Sequence, residues 1–158
     1  MQKLVLLAGL PGVGKSTIAR RIAATENGRV LDLDDFKREA VASADVTSKI
    51  DPPEVRWIYY ERALTHALTL DGTVIMDEVL HLDALRTRLE EACTVRNVEV
   101  QWIEVRCPYE VVERRLRETA RVGHILSTDE ALAMYLLFQQ VFEPFHEGKE
   151  NYTVVNNG

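Results

Sequence analysis

Gly9-Leu10-Pro11-Gly12-Val13-Gly14-Lys15-Ser16-Thr17 satisfies the pattern G-x-x-x-x-G-K-[ST] at every fixed position. Its flanks fit as well. Residues 3–8 (Lys-Leu-Val-Leu-Leu-Ala) are a continuous apolar run of strand length that ends at Gly9, as in a strand covered on both faces. Residues 15–26 read as a helix stopped by Asn27-Gly28. Strand, glycine-rich turn and helix in that order build a cradle for a polyphosphate: glycines let backbone N–H groups turn inward, and the helix N-terminus adds a favourable dipole. Gly12, Val13, Gly14, Lys15, Ser16 and Thr17 would then hold ATP, with Lys15 bridging its β- and γ-phosphates and the Ser16 hydroxyl ligating Mg2+.

The rest of the chain alternates between strand and helix signals, which predicts an α/β fold. Strands are expected over residues 29–33, 73–77, 98–105 (alternating, like a strand near an edge) and 152–155. Helices are expected over residues 35–42, about 52–70 behind Pro52-Pro53, 82–95, 108–119 and 128–145, the last capped by Ser127 or Thr128, with a polar loop leading to Asp51. The expected architecture is three-layered: a mostly parallel five-stranded sheet, helices on both faces and a small helical lid at about residues 108–127. Residues 1–158 read as one domain, without repeats or linkers.

Composition narrows the classes. With 46% hydrophobic residues and two cysteines, the chain is neither disordered nor a disulfide scaffold, and Cys93 and Cys107 read as reduced core thiols. The longest apolar stretch, Leu4 to Leu10, is far short of the roughly 20 residues that cross a bilayer. It also lacks the features of a signal peptide, so a cytoplasmic protein with no membrane attachment and no obligate protein partner is expected. The net charge of −6 argues against a nonspecific nucleic-acid binder.

Two acidic segments complete the chemistry. Val74-Ile75-Met76 ends in Asp77-Glu78, the form of a Walker B segment whose Asp holds Mg2+ through its water shell. Strand two leads into Asp32-Leu33-Asp34-Asp35-Phe36-Lys37, where period-two alternation would set Leu31 and Leu33 on one side and Asp32 and Asp34 on the other. Beyond the carboxyl end of that strand, Asp34 could orient an acceptor hydroxyl and take its proton, while Lys37 could meet an anionic group of the acceptor. Asp34 and Asp35 are equally suited to capping a helix, and one could cap while the other catalyses.

A glycine-rich loop followed by Asp34-Asp35-Phe36-Lys37 at this spacing resembles the kinase domain of polynucleotide 5′-hydroxyl kinases. It is similar also to zeta-toxin-type kinases and other small kinases of the P-loop superfamily. The resemblance runs on through Asp77, Pro108 with its helix, and residues 128–135. It implies a P-loop NTPase fold, Asp34 as general base and Lys37 as the acceptor-phosphate contact, at a position where family members usually carry Arg. Asp77 joins Asp34 and Lys37 in the expected acceptor site as well as the metal site.

Arg114, Arg117 and Arg121 share one face of the helix at 108–119 and its extension, opposite Val112 and Leu116. Related kinases carry lid arginines here, which makes Arg115 and Arg121 the expected ATP contacts, with Val122-Gly123-His124 as a lid turn. His66, His81, His124 and His146 show no metal-ligand spacing, and Trp57, Tyr59 and Tyr60 read as core more than as a stacking platform. The expected activity is transfer of the γ-phosphoryl group of Mg·ATP to a hydroxyl of a small-molecule or nucleotide-type acceptor. The alternatives are a polynucleotide 5′-hydroxyl kinase, with nucleic acid not favoured by the acidic chain, and a nucleotide-controlled switch. The switch is the weaker, because Asp77-Glu78-Val79-Leu80 lacks the glycine of Asp-x-x-Gly and Ser48-Lys49-Ile50-Asp51 only partly imitates a guanine motif.

Overall fold

The computed structural model describes residues 1–43, 51–119 and 127–158. Five strands form one sheet in the order β2-β3-β1-β4-β5: β1 (Lys3–Ala8), β2 (Arg29–Asp32), β3 (Thr73–Glu78), β4 (Glu99–Arg106) and β5 (Tyr152–Asn156). Every neighbouring pair is parallel. The helices are α1 (Lys15–Glu26), α2 (Leu33–Ala42), α3 (Pro53–Ala67), α4 (Asp83–Thr94), α5 (Tyr109–Glu118) and α6 (Thr128–Val141). Alternation along the central strands separates two cores. Leu4, Leu6, Val74, Met76 and Trp102 face α2, α3 and α4, whereas Val5, Leu7, Ile75, Ile103 and Val105 face α1, α5 and the first turns of α6. The three-layer α/β architecture read from the sequence is the one observed.

The bounds of β2 and α6 depart from expectation. β2 stops at Asp32, and Leu33 already opens α2, because the Asp32 side chain accepts the Asp34 N–H at 2.9 Å and so caps the helix itself. The two-sided alternation of Leu33 and Asp34 therefore does not exist. β4 lies between β1 and the edge strand β5, near the edge as its alternation suggested. Its Glu104 is buried, paired with Arg106 and accepting from the Tyr152 hydroxyl at 3.1 Å. α6 ends at Val141, four residues early: Pro144 has no N–H to donate and pushes Glu143 out of helical geometry. Cys93 and Cys107 are both buried free thiols. Among the described residues no helix is long and apolar enough to cross a membrane.

Candidate active site

The phosphate loop needs backbone that only glycine adopts readily. Gly12 (φ 81°) and Gly14 (φ 96°) are left-handed. A Cβ on Gly12 would stand 2.7 Å from Val112 Cγ1, and one on Gly14 would stand 2.3 Å from Asn157 Nδ2. Gly14 also caps α1, so no side chain covers the first amides of that helix. Val13 turns its side chain into the core and contributes backbone alone, while Thr17 is exposed and accepts a bond from Arg20 at 3.4 Å. Lys15 Nζ lies across the loop, donating to the carbonyls of Gly9 at 2.8 Å and Leu10 at 2.9 Å. Uncovered helix-end amides with a lysine ammonium above them fit a polyphosphate.

The strand register assembles the acids. Leu7 pairs with Asp77, and Asp77 with Asp32, so the backbones that carry Asp32 and Asp77 stand about one strand spacing, roughly 4.8 Å, apart. Pleating sends Asp77 and Glu78 to opposite faces. Asp77 turns toward α1, where the Ser16 hydroxyl donates to its Oδ2 at 3.0 Å. This hydroxyl–carboxylate pair is an oxygen donor set of the kind that hard divalent cations take together with water. Among the described residues no group of three or more His, Cys, Asp or Glu forms a protein-only metal cage, so solvent and phosphate oxygens would complete the shell.

Glu78 turns toward α3, where its Oε1 lies 3.8 Å from Arg56 Nη1. Arg56 is 3% exposed, donates to the hydroxyls of Tyr59 at 3.1 Å and Tyr60 at 3.4 Å, and lies with Cζ 5.3 Å from the Phe138 ring centroid. Burial opposes its charge, but Tyr60, Tyr59 and Glu78 outweigh that and hold the guanidinium above its ordinary range. Beside them His81, stacked edge-on against Phe138 at 4.8 Å, is pushed down to about 4 by burial and by Arg56 and Arg86.

Asp34 sits in the first turn of α2 within this acidic surround. Burial, then Glu78, Asp32 and Asp77, push its pKa up to about 7 against the opposing pull of Lys15. Asp77 is raised as well, chiefly by burial, with Lys15 and the Ser16 hydrogen bond opposing. Lys37 Nζ reaches back to Asp51 Oδ2 at 3.9 Å and lies 5.8 Å from the Tyr59 ring centroid. Arg115 Nη1 contacts the Cys107 sulfur at 3.6 Å, and Arg117 pairs with Glu113 and Asp129 on the surface. Arg121, the turn Val122-Gly123-His124 and Ser48-Lys49-Ile50 lie outside the described residues. A cavity of about 530 Å³ opens at the carboxyl ends of β1, β4 and β5, walled by Leu10, Val13, Glu104, Pro108 and Tyr135; neither Asp34 nor Asp77 lines it.

Two features of this geometry were not read from the sequence. The Arg56–Tyr59–Tyr60 cluster has a legible signal, the i, i+3, i+4 spacing on one helix face. Asn157 had none: its Nδ2 donates to the Val13 carbonyl at 2.9 Å and its N–H to the Arg106 carbonyl at 2.8 Å, fastening the end of β5 to the phosphate loop across the sheet. Asn157→Ala is expected to loosen the loop and raise the KM for ATP about five- to tenfold, as the loss of one hydrogen bond of about 1–1.5 kcal/mol predicts, with a smaller change in kcat. Steady-state kinetics at saturating acceptor would measure it.

Residues 4–142 match the family AAA_33, described as an AAA domain. The chain belongs to it. An AAA_33 assignment spanning the loop, Asp34, Asp77 and α5 encloses nearly every group described above. Among curated proteins, this AAA_33 chain is 29% identical over 158 residues to the shikimate kinase of Corynebacterium efficiens, covering 98% of the chain and 87% of that protein. Its fold is similar to a gluconokinase from Sinorhizobium meliloti 1021 (TM-score 0.69, 16% identity, 98% of this chain and 82% of that one). It is similar also to a sugar kinase from Janibacter sp. HTCC2649 (TM-score 0.69, 21% identity, 99% and 86%). The resemblance to polynucleotide and zeta-toxin-type kinases thus holds at the level of the P-loop kinase fold, while these relatives carry the names of small-molecule kinases.

Proposed function

We infer that this chain moves the γ-phosphoryl group of ATP to a hydroxyl of a small-molecule acceptor. The observation that carries the reading is the convergence, at the ends of β1, β2 and β3, of a phosphate cradle, a Ser16–Asp77 pair at 3.0 Å and a carboxylate, Asp34, poised near neutrality. Relatives that bear the names shikimate kinase and gluconokinase support it.

In this reading the amides of Gly12, Val13, Gly14, Lys15, Ser16 and Thr17 bind the phosphate chain, and the Lys15 ammonium swings from the loop carbonyls to the transferring group. Mg2+, held by Ser16 and Asp77 through its water shell, would supply charge neutralisation at the β- and γ-phosphates. Asp34 accepts the proton of the acceptor hydroxyl; that oxygen bonds to the γ-phosphorus as the bond to the β–γ bridging oxygen breaks, and ADP departs with the electron pair. Arg115 and Arg121 are assigned to the developing charge on the transferred group, and Lys37 to the acceptor side.

The test is a screen of the purified chain with Mg·ATP against sugars, polyols, nucleosides and 5′-hydroxyl oligonucleotides, scored for phosphorylated product and ADP in equal amounts. Salt-sensitive labelling of oligonucleotides alone would replace this reading with a polynucleotide kinase. Preference for GTP without any phosphorylated acceptor would replace it with a switch.

A further inference from the structure

Away from the active site, α4 buries a second arginine. Arg86 is 3% exposed, and its Nε donates to the Leu80 carbonyl at 2.7 Å. Its guanidinium lies against aromatic rings, with Cζ 3.8 Å from the Phe145 centroid and 5.0 Å from that of Phe142. Both Nη atoms are buried and, among the described residues, have no hydrogen-bond partner. Arginine does not give up its proton, so a buried guanidinium has to be met by acceptors or by an anion. Burial holds the group below its ordinary range, outweighing the pull of Asp83, Glu104, Glu143 and Tyr152. Arg86 lines a pocket of about 80 Å³ whose walls all come from α4 and from residues 145–149. The other donors in those walls are Thr87, His146 and Lys149. The two acids there are already engaged. Glu90 Oε1 accepts from Lys149 at 2.9 Å, from Asn151 Nδ2 at 3.1 Å and from Trp102 Nε1, and Asp83 Oδ2 lies 3.5 Å from His146 Nε2. Neither Asp34, Asp77 nor a residue of the phosphate loop lines this pocket.

We propose that Arg86, Thr87, His146 and Lys149 form a second anion site that takes a tetrahedral phosphate, either the free ion or the phosphate end of a phosphomonoester. The two Nη atoms make a planar fork suited to two oxygens of one phosphate, and the other three side chains supply donors for the rest. The position of the site gives it a hold on the phosphate loop. Arg86 fixes the Leu80 carbonyl, Leu80 stands at a left-handed φ of 51°, and Val79 before it accepts the Gly9 N–H at 3.1 Å. An anion that fixes Arg86 therefore braces the turn from which the phosphate loop starts.

Thermal denaturation of the full chain in inorganic phosphate tests it, with chloride at equal ionic strength as the control. The phosphate loop is an anion site in its own right, so wild type and Lys15→Met, which lacks the loop's ammonium, are both measured. At about 10 mM phosphate and a dissociation constant of about 1 mM, the melting temperature of Lys15→Met is expected to rise by about 3–6 °C. Adding Arg86→Gln to Lys15→Met is expected to remove that rise. Adding Lys149→Gln instead is expected to weaken phosphate binding about five- to tenfold, and it decides the matter should Arg86→Gln fail to fold. Glycerol 1-phosphate in place of phosphate separates the two sources: an equal rise assigns the pocket to the phosphate end of a larger molecule, and a rise with phosphate alone assigns it to the free ion. A rise in the wild type that Lys15→Met loses puts the phosphate on the loop and overturns the proposal. So does a rise that survives Arg86→Gln, one that chloride reproduces, or no rise at all. None of these readouts depends on phosphoryl transfer, so the kinase reading stands or falls separately.

Discussion

Replacing Asp34 with asparagine is expected to lower phosphoryl transfer by about 10²–10⁴-fold while binding of Mg·ATP changes little. Asparagine keeps the shape and the N–H that donates to Asp32 at 2.9 Å, so the cap of α2 survives and only proton acceptance is lost. As the proposed base, the same group is expected to set the pH profile of the wild-type protein. Its pKa is near 7, and it works only when ionised, so kcat/KM falls about tenfold for each pH unit below that value and is level above it. The stability sign is opposite. A carboxyl raised from 3.8 to about 7 stabilises the fold while protonated, and that contribution is lost as pH rises through 7. Asp34→Asn is therefore expected to melt several degrees above wild type at pH 8 and close to it at pH 4. A loss of activity together with a lower melting temperature at pH 8 would mean that Asp34 is structural. The pairing of lost transfer with gained stability is the mark of a group kept charged for chemistry at a cost to folding.

How far the sequence disclosed this arrangement depends on whether the determining interaction is local. The cradle is local: two glycines, a lysine and a serine in nine consecutive residues, bounded by an apolar run, leave little choice of geometry. The placing of Asp77 and Glu78 on opposite faces was equally open to reading, from strand pleat alone. The identity of the α2 cap was not, because Asp32, Asp34 and Asp35 are all capable of it and only the geometry at the end of β2 selects Asp32. Lys37 looked like a free cation from its spacing, yet Asp51, fourteen positions on, engages it. Buried charge misleads a reading that equates polarity with exposure: Arg56, surrounded by tyrosine, phenylalanine and glutamate, gave no apolar signal at all. Asn157 reaches Val13 through the order of strands, which no local pattern encodes.

Lys15→Ala is expected to lower transfer by about 10²–10³-fold with every acceptor tried, because in the proposed mechanism it removes a cation from the place where charge develops on the transferring group. Its signature separates it from Asp34→Asn. Without Lys15 the KM for ATP rises along with the fall in kcat, since the ammonium meets the phosphates in the ground state too, whereas loss of the base affects kcat alone. The structure adds a second consequence. Lys15 satisfies the carbonyls of Gly9 and Leu10, so truncation leaves two part-buried acceptors to water and loosens the loop even without nucleotide. Lys15→Met restores the bulk of the side chain without the charge. Neither variant can donate to the two carbonyls, so they differ in bulk alone, and a difference in melting temperature between them reports packing. Charge dominance gives two equally slow enzymes. Arginine does not rescue either, because a planar fork cannot contract onto two carbonyls 2.8 and 2.9 Å from a single nitrogen and then reach the phosphates from the same point. Equal turnover by Lys15→Arg and the wild type would mean that position 15 supplies only charge, and that the carbonyl contacts are incidental.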